Sequence, residues 1–242
     1  MDINELQAKV QMMEKELQRL KDIEAIRRLQ HIYGFYLTTW MNEEIINLFS
    51  DSRETSIDFP QGTFFTKEGV KIAFGHTNKE TNPEFMHQLM QLQGVIDIAD
   101  DGKTAKGRWW GFGAMALPES ENFNLAANDQ GILQEFACGV YENEYIKEDG
   151  VWKLWKLKWI PLYTCSPDNG WVKPERLTKL PLVNEGQAKF PDWWKPDIPP
   201  KGIDYSYPSG YILPFHYKHP VTGKESTEKK RNARVKGIKK HR

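Results

Sequence analysis

An α+β fold is predicted, with helices first and a bent antiparallel sheet after them, on three observations. Apolar residues through the first 40 positions recur at spacings of three and four, the period of a helix. Four later stretches, 86–99, 103–116, 131–147 and 151–164, read as strands. Two of their connections, at Asp101–Gly102 and Asp149–Gly150, are acidic-glycine pairs that tolerate the positive φ of a tight turn. Strands near 12 residues, against a usual ~5–6, must twist and bend strongly. Helices followed by a run of adjacent strands give an α+β arrangement rather than alternating β-α units.

Residues 2–39 read as one long helix with two different faces. Ile3, Leu6, Val10, Met13, Leu17 and Leu20 form a narrow apolar seam, flanked by Glu14, Glu16, Arg19 and Lys21. Such a helix either lies on its own domain or pairs with another subunit. A narrow seam on so polar a helix favours self-association. From Ile23 the face broadens through Ile26, Leu29, Tyr33, Leu37 and Trp40, with Tyr36 beside it, as for a helix packed on a globular body. Asn42 can cap a second short helix, whose apolar side is Ile45, Ile46, Leu48 and Phe49. A short strand is expected over 54–59, a loop around Pro60 and Gly62, and a helix over 67–74. A polar loop at 117–128 separates the second and third long strands. Residues 165–222 are rich in proline and aromatics (Trp171, Trp193, Trp194, Tyr205, Tyr207, Tyr211, Phe215, Tyr217) with little periodicity. They are expected to form an extended arm over their own domain or a neighbouring subunit. The predicted organisation is therefore a helical extension at 1–21, a domain at 22–164, the arm at 165–222 and a basic, flexible tail at 223–242.

Composition narrows the function classes. In 242 residues, 39% hydrophobic and 12% aromatic, there is enough apolar material for a real core. Formal net charge is zero, but residues 224–242 carry nine Lys/Arg against two Asp/Glu, leaving a mildly acidic body. That tail lacks aromatic interleaving and follows no nucleic-acid motif, so no nucleic-acid partner is expected. The two cysteines, Cys138 and Cys165, form no CxxC and have no histidine set beside them. A reduced, cytoplasmic setting without a disulfide or a metal site is expected. No apolar run approaches ~20 residues and the N-terminus has no signal-peptide core, so no membrane association is expected. The six histidines fall in no HExxH pattern, Gly111–Phe112–Gly113 does not open a helix, and no GxSxG elbow occurs. No cofactor is implied.

Four segments carry a resemblance. They are DIEAIRRLQHIYGFYL in the first helix, INLFSDSRETSIDF, the histidine-led MHQLMQLQGVIDIADDGKTAKGRWW, and the closing hairpin VYENEYIKEDGVWKLWKLKWI. In this order, over about residues 22–163, the chain resembles the SnoaL-like branch of the nuclear transport factor two-like superfamily. The resemblance implies a cone-shaped α+β barrel: a bent antiparallel sheet wrapped around N-terminal helices, with a hydrophobic cavity between them. It also implies enzyme relatives such as polyketide cyclases, scytalone dehydratase and ketosteroid isomerase, alongside relatives that only bind. The branch often carries an aspartate five residues after the helix tyrosine, able to pair with a histidine. Here that position is Thr38, which cannot act as a base near neutral pH, and Asp58 is a possible substitute.

His87 is the leading catalytic candidate, since an imidazole titrates near ~6.5 and can take and return a proton; the alternative is a hydrogen-bonded core histidine. Arg108 could hold a substrate oxygen by a forked pair of hydrogen bonds, or form a surface ion pair on the convex side. Strand alternation puts Arg108, Trp110 and Phe112 on one face, and two aromatics argue that it is the inner one. Tyr33, catalytic, and Tyr36 and Tyr141, substrate-binding, could donate phenolic hydrogen bonds or simply fill the core. Trp40, Asp58 and Trp110 complete the expected binding residues. His216 and His219 reach the cavity only if the arm folds over it, and His31 is expected in solvent. The activity these imply is a cofactor-independent lyase or isomerase on an aromatic or polycyclic apolar small molecule, in a homo-oligomer (dimer or trimer). The alternative is a non-catalytic binding or assembly protein of the same fold.

Overall fold

The structure, a computed structural model, describes residues 2–75, 86–118, 132–168, 170, 193–199, 205–207 and 209–232. Helix α1 runs unbroken over Ile3–Thr38, 36 residues, or about 54 Å at ~1.5 Å per residue. A capping box starts it: Asp2 Oδ1 accepts from the Glu5 amide at 2.8 Å, and Glu5 Oε2 accepts from the Asp2 amide at 2.9 Å. It stops where Trp40 takes a left-handed φ of 52°. Residues 2–21 are exposed throughout, and burial begins at Asp22, followed by Ile26, Gln30, Tyr33 and Gly34. Asp22 is the anchor at that boundary, receiving Lys147 Nζ at 2.6 Å, Trp152 Nε1 at 2.9 Å and Gln18 Nε2 at 3.0 Å. Burial alone would raise its pKa. These donors outweigh burial and hold it below the usual carboxylate value.

Helix α2 (Asn42–Asn47) and helix α3 (Thr66–Phe74) pack beside each other, α2 also against α1. Asn42 does not cap α2 as the sequence suggested. Met41 precedes the first turn, and the Asn42 amide instead donates to Phe74 O at 2.9 Å, tying α2 to α3. Strands β1 (Ser56–Phe59) and β2 (Gly62–Phe65) form an antiparallel hairpin. The expected loop at Pro60–Gly62 is thus a tight turn with a second strand after it.

The expected strand at 86–99 is two strands, β3 (Met86–His87) and β4 (Met90–Ile98), both antiparallel to β5 (Thr104–Pro118). Strands β6 (Ile132–Glu148) and β7 (Val151–Cys165) complete the sheet, in the order β2-β1-β7-β6-β5-β3. Pairing is antiparallel except β1 with β7, which is parallel. Register shifts at Leu92/Val95, Cys138/Gly139 and Glu144/Tyr145 curl the long strands. The result is the α+β cone: a curled sheet with α1 across its concave face. Most of the polar loop at 117–128 lies outside the described residues.

The core lies between α1 and the sheet. It contains Ile26, Tyr33, Trp109, Tyr141, Tyr145, Leu154 and Leu157, and continues under α2 and α3 through Ile45, Phe49, Phe64, Val70 and Phe74. The described parts of 193–217 lie on the chain's own sheet. Ile198 pairs with Thr63 on the outer edge of β2 (N···O 2.9 and 3.1 Å), and Trp194 packs on Phe64 at 4.9 Å. Leu213 closes over Val140 and Ile160 on the convex face. Within 223–242 the described residues include a short helix, α4 (Glu228–Asn232), with Arg231 reaching Ile212 O, and residues 233–242 lie outside the described ones. Among the described residues, no helix is long and apolar enough to cross a membrane.

Candidate functional site

His87 enters from β3 at the C-terminal end of α1. Its Nδ1 lies 3.2 Å from Leu37 O, and its ring meets Trp40 edge to face at 6.0 Å. A carbonyl can only accept, so Nδ1 is the donor in this pair. Burial pushes the imidazole pKa below its usual value, against a smaller upward pull from the Leu37 carbonyl. Burial therefore favours the neutral imidazole, with Nδ1 turned to the helix end.

One glycine makes this corner possible. A Cβ on Gly113 of β5 would sit 1.5 Å from the Gln88 carbonyl oxygen and 3.0 Å from Leu89 Cα. Without it, the backbone following His87 could not lie against β5, where the Gln88 amide donates to Ala114 O at 2.9 Å.

Deeper in the cone the concave face holds a buried polar network. Gln30 Oε1 accepts from the Tyr145 hydroxyl at 2.7 Å and from Asn143 Nδ2 at 2.9 Å, while Gln30 Nε2 donates to Gln91 Oε1 at 2.7 Å. Trp109 Nε1 donates to the Tyr145 hydroxyl at 2.8 Å, and Gln91 Nε2 donates to Leu89 O at 2.9 Å. Gln91 is seated because Gly34 of α1 has no side chain: a Cβ there would fall 2.6 Å from Gln91 Cγ. Tyr33 and Tyr141 meet edge to face at 5.9 Å, with their hydroxyls hydrogen-bonded to each other. Burial raises both phenol pKa values far above the usual range. They stay un-ionised, and they fill the interior as core residues do.

The face assignment of β5 is reversed from the sequence expectation. Trp109 is the inward residue, 1% exposed, and Trp110 is 40% exposed on the convex side. Arg108 points outward with Trp110: its Nε pairs with Glu142, Nη2 donates to Pro214 O, and the guanidinium lies 4.8 Å from the Phe215 ring centre and 5.7 Å from that of Tyr217. Arg108 therefore fastens the C-terminal segment and does not face the concave interior. Asp58 is likewise committed elsewhere, to Lys158 Nζ at 2.5 Å and the Thr63 hydroxyl at 3.1 Å. It sits on β1, at the other end of the strand order from β3, so it cannot stand in for a dyad carboxylate. The Thr38 hydroxyl turns back to Gly34 O at 2.9 Å.

Of the other candidates, Tyr36 is half-buried on the last turn of α1, against the core. His31 is exposed, its ring 5.7 Å from Trp109. His216 joins the convex cluster, with Nδ1 3.2 Å from Glu142 and Nε2 3.4 Å from Asp97, and His219 Nδ1 accepts from the amides of Val221 and Thr222. Neither enters the cone. Two clefts among the described residues, of about 400 and 200 Å³, share Lys106 and Glu144; the larger opens between the convex face and residues 205 and 213–216. No group of three or more metal-ligating side chains occurs among the described residues.

Sequence reasoning missed Gln30, Gln91, Asn143 and Tyr145. The signal was present for two of them: Gln30 follows Ile26 by four residues on the buried helix face, and Asn143 alternates with Tyr141 and Tyr145.

A family model described as a SnoaL-like domain matches residues 18–158. Among solved structures, the chain is similar to a candidate scytalone dehydratase from Novosphingobium aromaticivorans, at 16% identity over 64% of this chain and 92% of that one, with a TM-score of 0.48. It is similar to the LinA-type3 hexachlorocyclohexane dehydrochlorinase of Novosphingobium barchaimii, at 19% identity over 66% and 99%, TM-score 0.46. It is also similar to a nuclear transport factor two-like protein with a cystatin-like fold from N. aromaticivorans, at 13% identity over 66% and 90%, TM-score 0.41.

Proposed function

From the premise that the chain belongs to the SnoaL-like domain family, within the nuclear transport factor two-like superfamily, we propose that it is a cofactor-independent lyase or isomerase acting on an aromatic or polycyclic apolar small molecule. The observation that carries this reading is the buried imidazole of His87, its Nδ1 3.2 Å from Leu37 O and its ring against Trp40. In the proposed step Nε2 removes a proton from a carbon next to a substrate carbonyl. For a β-hydroxy ketone the new C=C forms as the hydroxyl departs, protonated by the imidazolium, so water leaves and the imidazole returns to neutral. An enolisation uses the same base and returns the proton to another atom. General acid–base catalysis contributes roughly 10²–10⁴-fold. Tyr36, on the last turn of α1, and Trp40, just past its end, are assigned to substrate contact. Arg108, Asp58 and Trp110, turned away from the cone, are not, and Tyr33 and Tyr141 back the site as buried donors. The same reading takes the protein as a cytoplasmic homo-oligomer.

The test is turnover of a panel of aryl β-hydroxy ketones, followed by the absorbance of the conjugated product. His87→Asn keeps a donor for Leu37 O and removes the base, so it should lower the rate at least about 10²-fold. A variant of undiminished rate ends this assignment.

A second reading, a non-catalytic binding protein of the same fold, is favoured by Thr38, whose hydroxyl bonds its own helix where the resemblance would place a dyad aspartate. It predicts saturable binding of the same compounds, no product at any pH, and binding that survives His87→Asn.

A further inference from the structure

Residues 2–21 are exposed throughout, and α1 is fastened to the sheet at Asp22, through Trp152 and Lys147. A lone helix of this length is marginal in water even when capped, and this one exposes seven large apolar side chains before Asp22, six of them in one seam, with Met12 off it. Ile3, Leu6, Val10, Met13, Leu17 and Leu20 are each between 44% and 74% exposed.

Independently of the reaction assigned above, we propose that this segment is one half of a parallel, in-register, two-stranded coiled coil whose other half is a second copy of this chain. The spacing alternates three and four without error, giving core positions a (Ile3, Val10, Leu17) and d (Leu6, Met13, Leu20). The next a position is Glu24, bonded to Arg27 of its own helix, so the seam ends where Asp22 fastens the helix to the sheet. Branched Ile3 and Val10 at a, with leucine at two of the three d positions, is the combination that favours two parallel strands.

The flanking charges choose the same geometry. Positions g are Lys9 and Glu16, and positions e are Gln7, Glu14 and Lys21. In a parallel pair each g faces the e five residues on in the other helix. Lys9 then meets Glu14 of the second copy and Glu16 meets its Lys21, giving four opposite-sign contacts in all. Inverting one helix sets g against g and e against e. That keeps only the two Lys9–Glu16 contacts and puts Glu14 opposite Gln7. Three chains would bury these flanks more deeply, against their charge. A parallel pair also holds both domains at the same end of the coil, side by side.

Sedimentation equilibrium of the full chain from about 1 to 100 μM tests this, with a two-chain mass expected. Leu17→Glu, at a position exposed in the single chain, should raise the dissociation constant at least about a hundredfold without changing the urea midpoint of the domain. Lys9→Glu and Glu14→Lys should each weaken pairing about severalfold, and together restore it. Under mild oxidation Val10→Cys chains should cross-link to each other, because a faces a in this register. A single-chain mass at 100 μM, a three-chain mass, or pairing indifferent to Leu17→Glu would overturn the proposal. So would Val10→Cys cross-linking only with Met13→Cys chains, which marks the antiparallel arrangement.

Discussion

Replacing Tyr145 by phenylalanine isolates one atom of the buried network. The ring of Tyr145 is fully buried and stays in place, so the void created is the size of one oxygen. What changes is polar. Trp109 Nε1–H loses its acceptor at 2.8 Å in a side chain only 1% exposed, and an orphaned buried donor costs about 1–3 kcal/mol. Gln30 Oε1 loses one of two donors but keeps Asn143 at 2.9 Å, a further loss of about 0.5–1.5 kcal/mol. The expected destabilisation is therefore about 2–4 kcal/mol, a large part of the ~5–15 kcal/mol typical of a domain. Equilibrium urea unfolding should show a lower midpoint with an unchanged slope; at ~2 kcal/mol per molar the midpoint falls by about 1–2 M. A loss under ~0.5 kcal/mol would mean that water reaches these groups, and that the concave interior is an open hollow at this depth.

Three further outcomes test the site and its support. Gly113→Ala should push the backbone at Gln88 off β5 at a cost of about 2–4 kcal/mol, from overpacking plus a lost hydrogen bond; NMR titration should then show the His87 imidazole returning toward its usual pKa. Because the folded-state pKa of His87 lies below the reference value of 6.5, the unfolded chain takes up the proton first as pH falls. Its contribution is complete above pH 6.5 and is lost as pH falls through the folded value, so between pH 7.5 and pH 5 wild type should lose more stability than His87→Asn. Arg108→Met keeps the stem but removes the bonds to Glu142 and Pro214 O, and chymotryptic cleavage at Phe215 or Tyr217 should speed up about ten- to hundredfold; unchanged cleavage would show that Leu213 alone holds the segment.

The long elements were legible because their signals are local. The three–four spacing of α1, and the Asp–Gly turns where Gly102 and Gly150 take positive φ, need no tertiary information. The parallel pairing of β1 with β7 joins segments about 100 residues apart, and no local pattern encodes it. The inverted faces of β5 have a more specific cause. Trp109 and Trp110 are adjacent, so each face offers one tryptophan. On the true inner face the neighbours are Gly107, Gly111 and Gly113, which carry no hydrophobic signal. Those glycines are small because large neighbours approach there: a Cβ at Gly111 would meet the Trp159 ring at 2.5 Å, and one at Gly107 would meet Tyr145 at 2.9 Å. Arg108 was therefore assigned to the interior by its louder neighbours. His87 was recognisable from its place at the head of a strand, whereas its partner, the Leu37 carbonyl, is backbone and has no letter in the sequence.

The ladder between Thr63 and Ile198 leaves a mark on how copies of this protein behave at high concentration. Without the segment around Ile198, the hairpin's free margin would offer unsatisfied amides and carbonyls to any passing strand, the usual seed of fibrillar stacking. Proteolytic trimming ahead of residue 193 would thus turn a well-behaved solution into one that precipitates as ribbons, while leaving the corner around His87 intact.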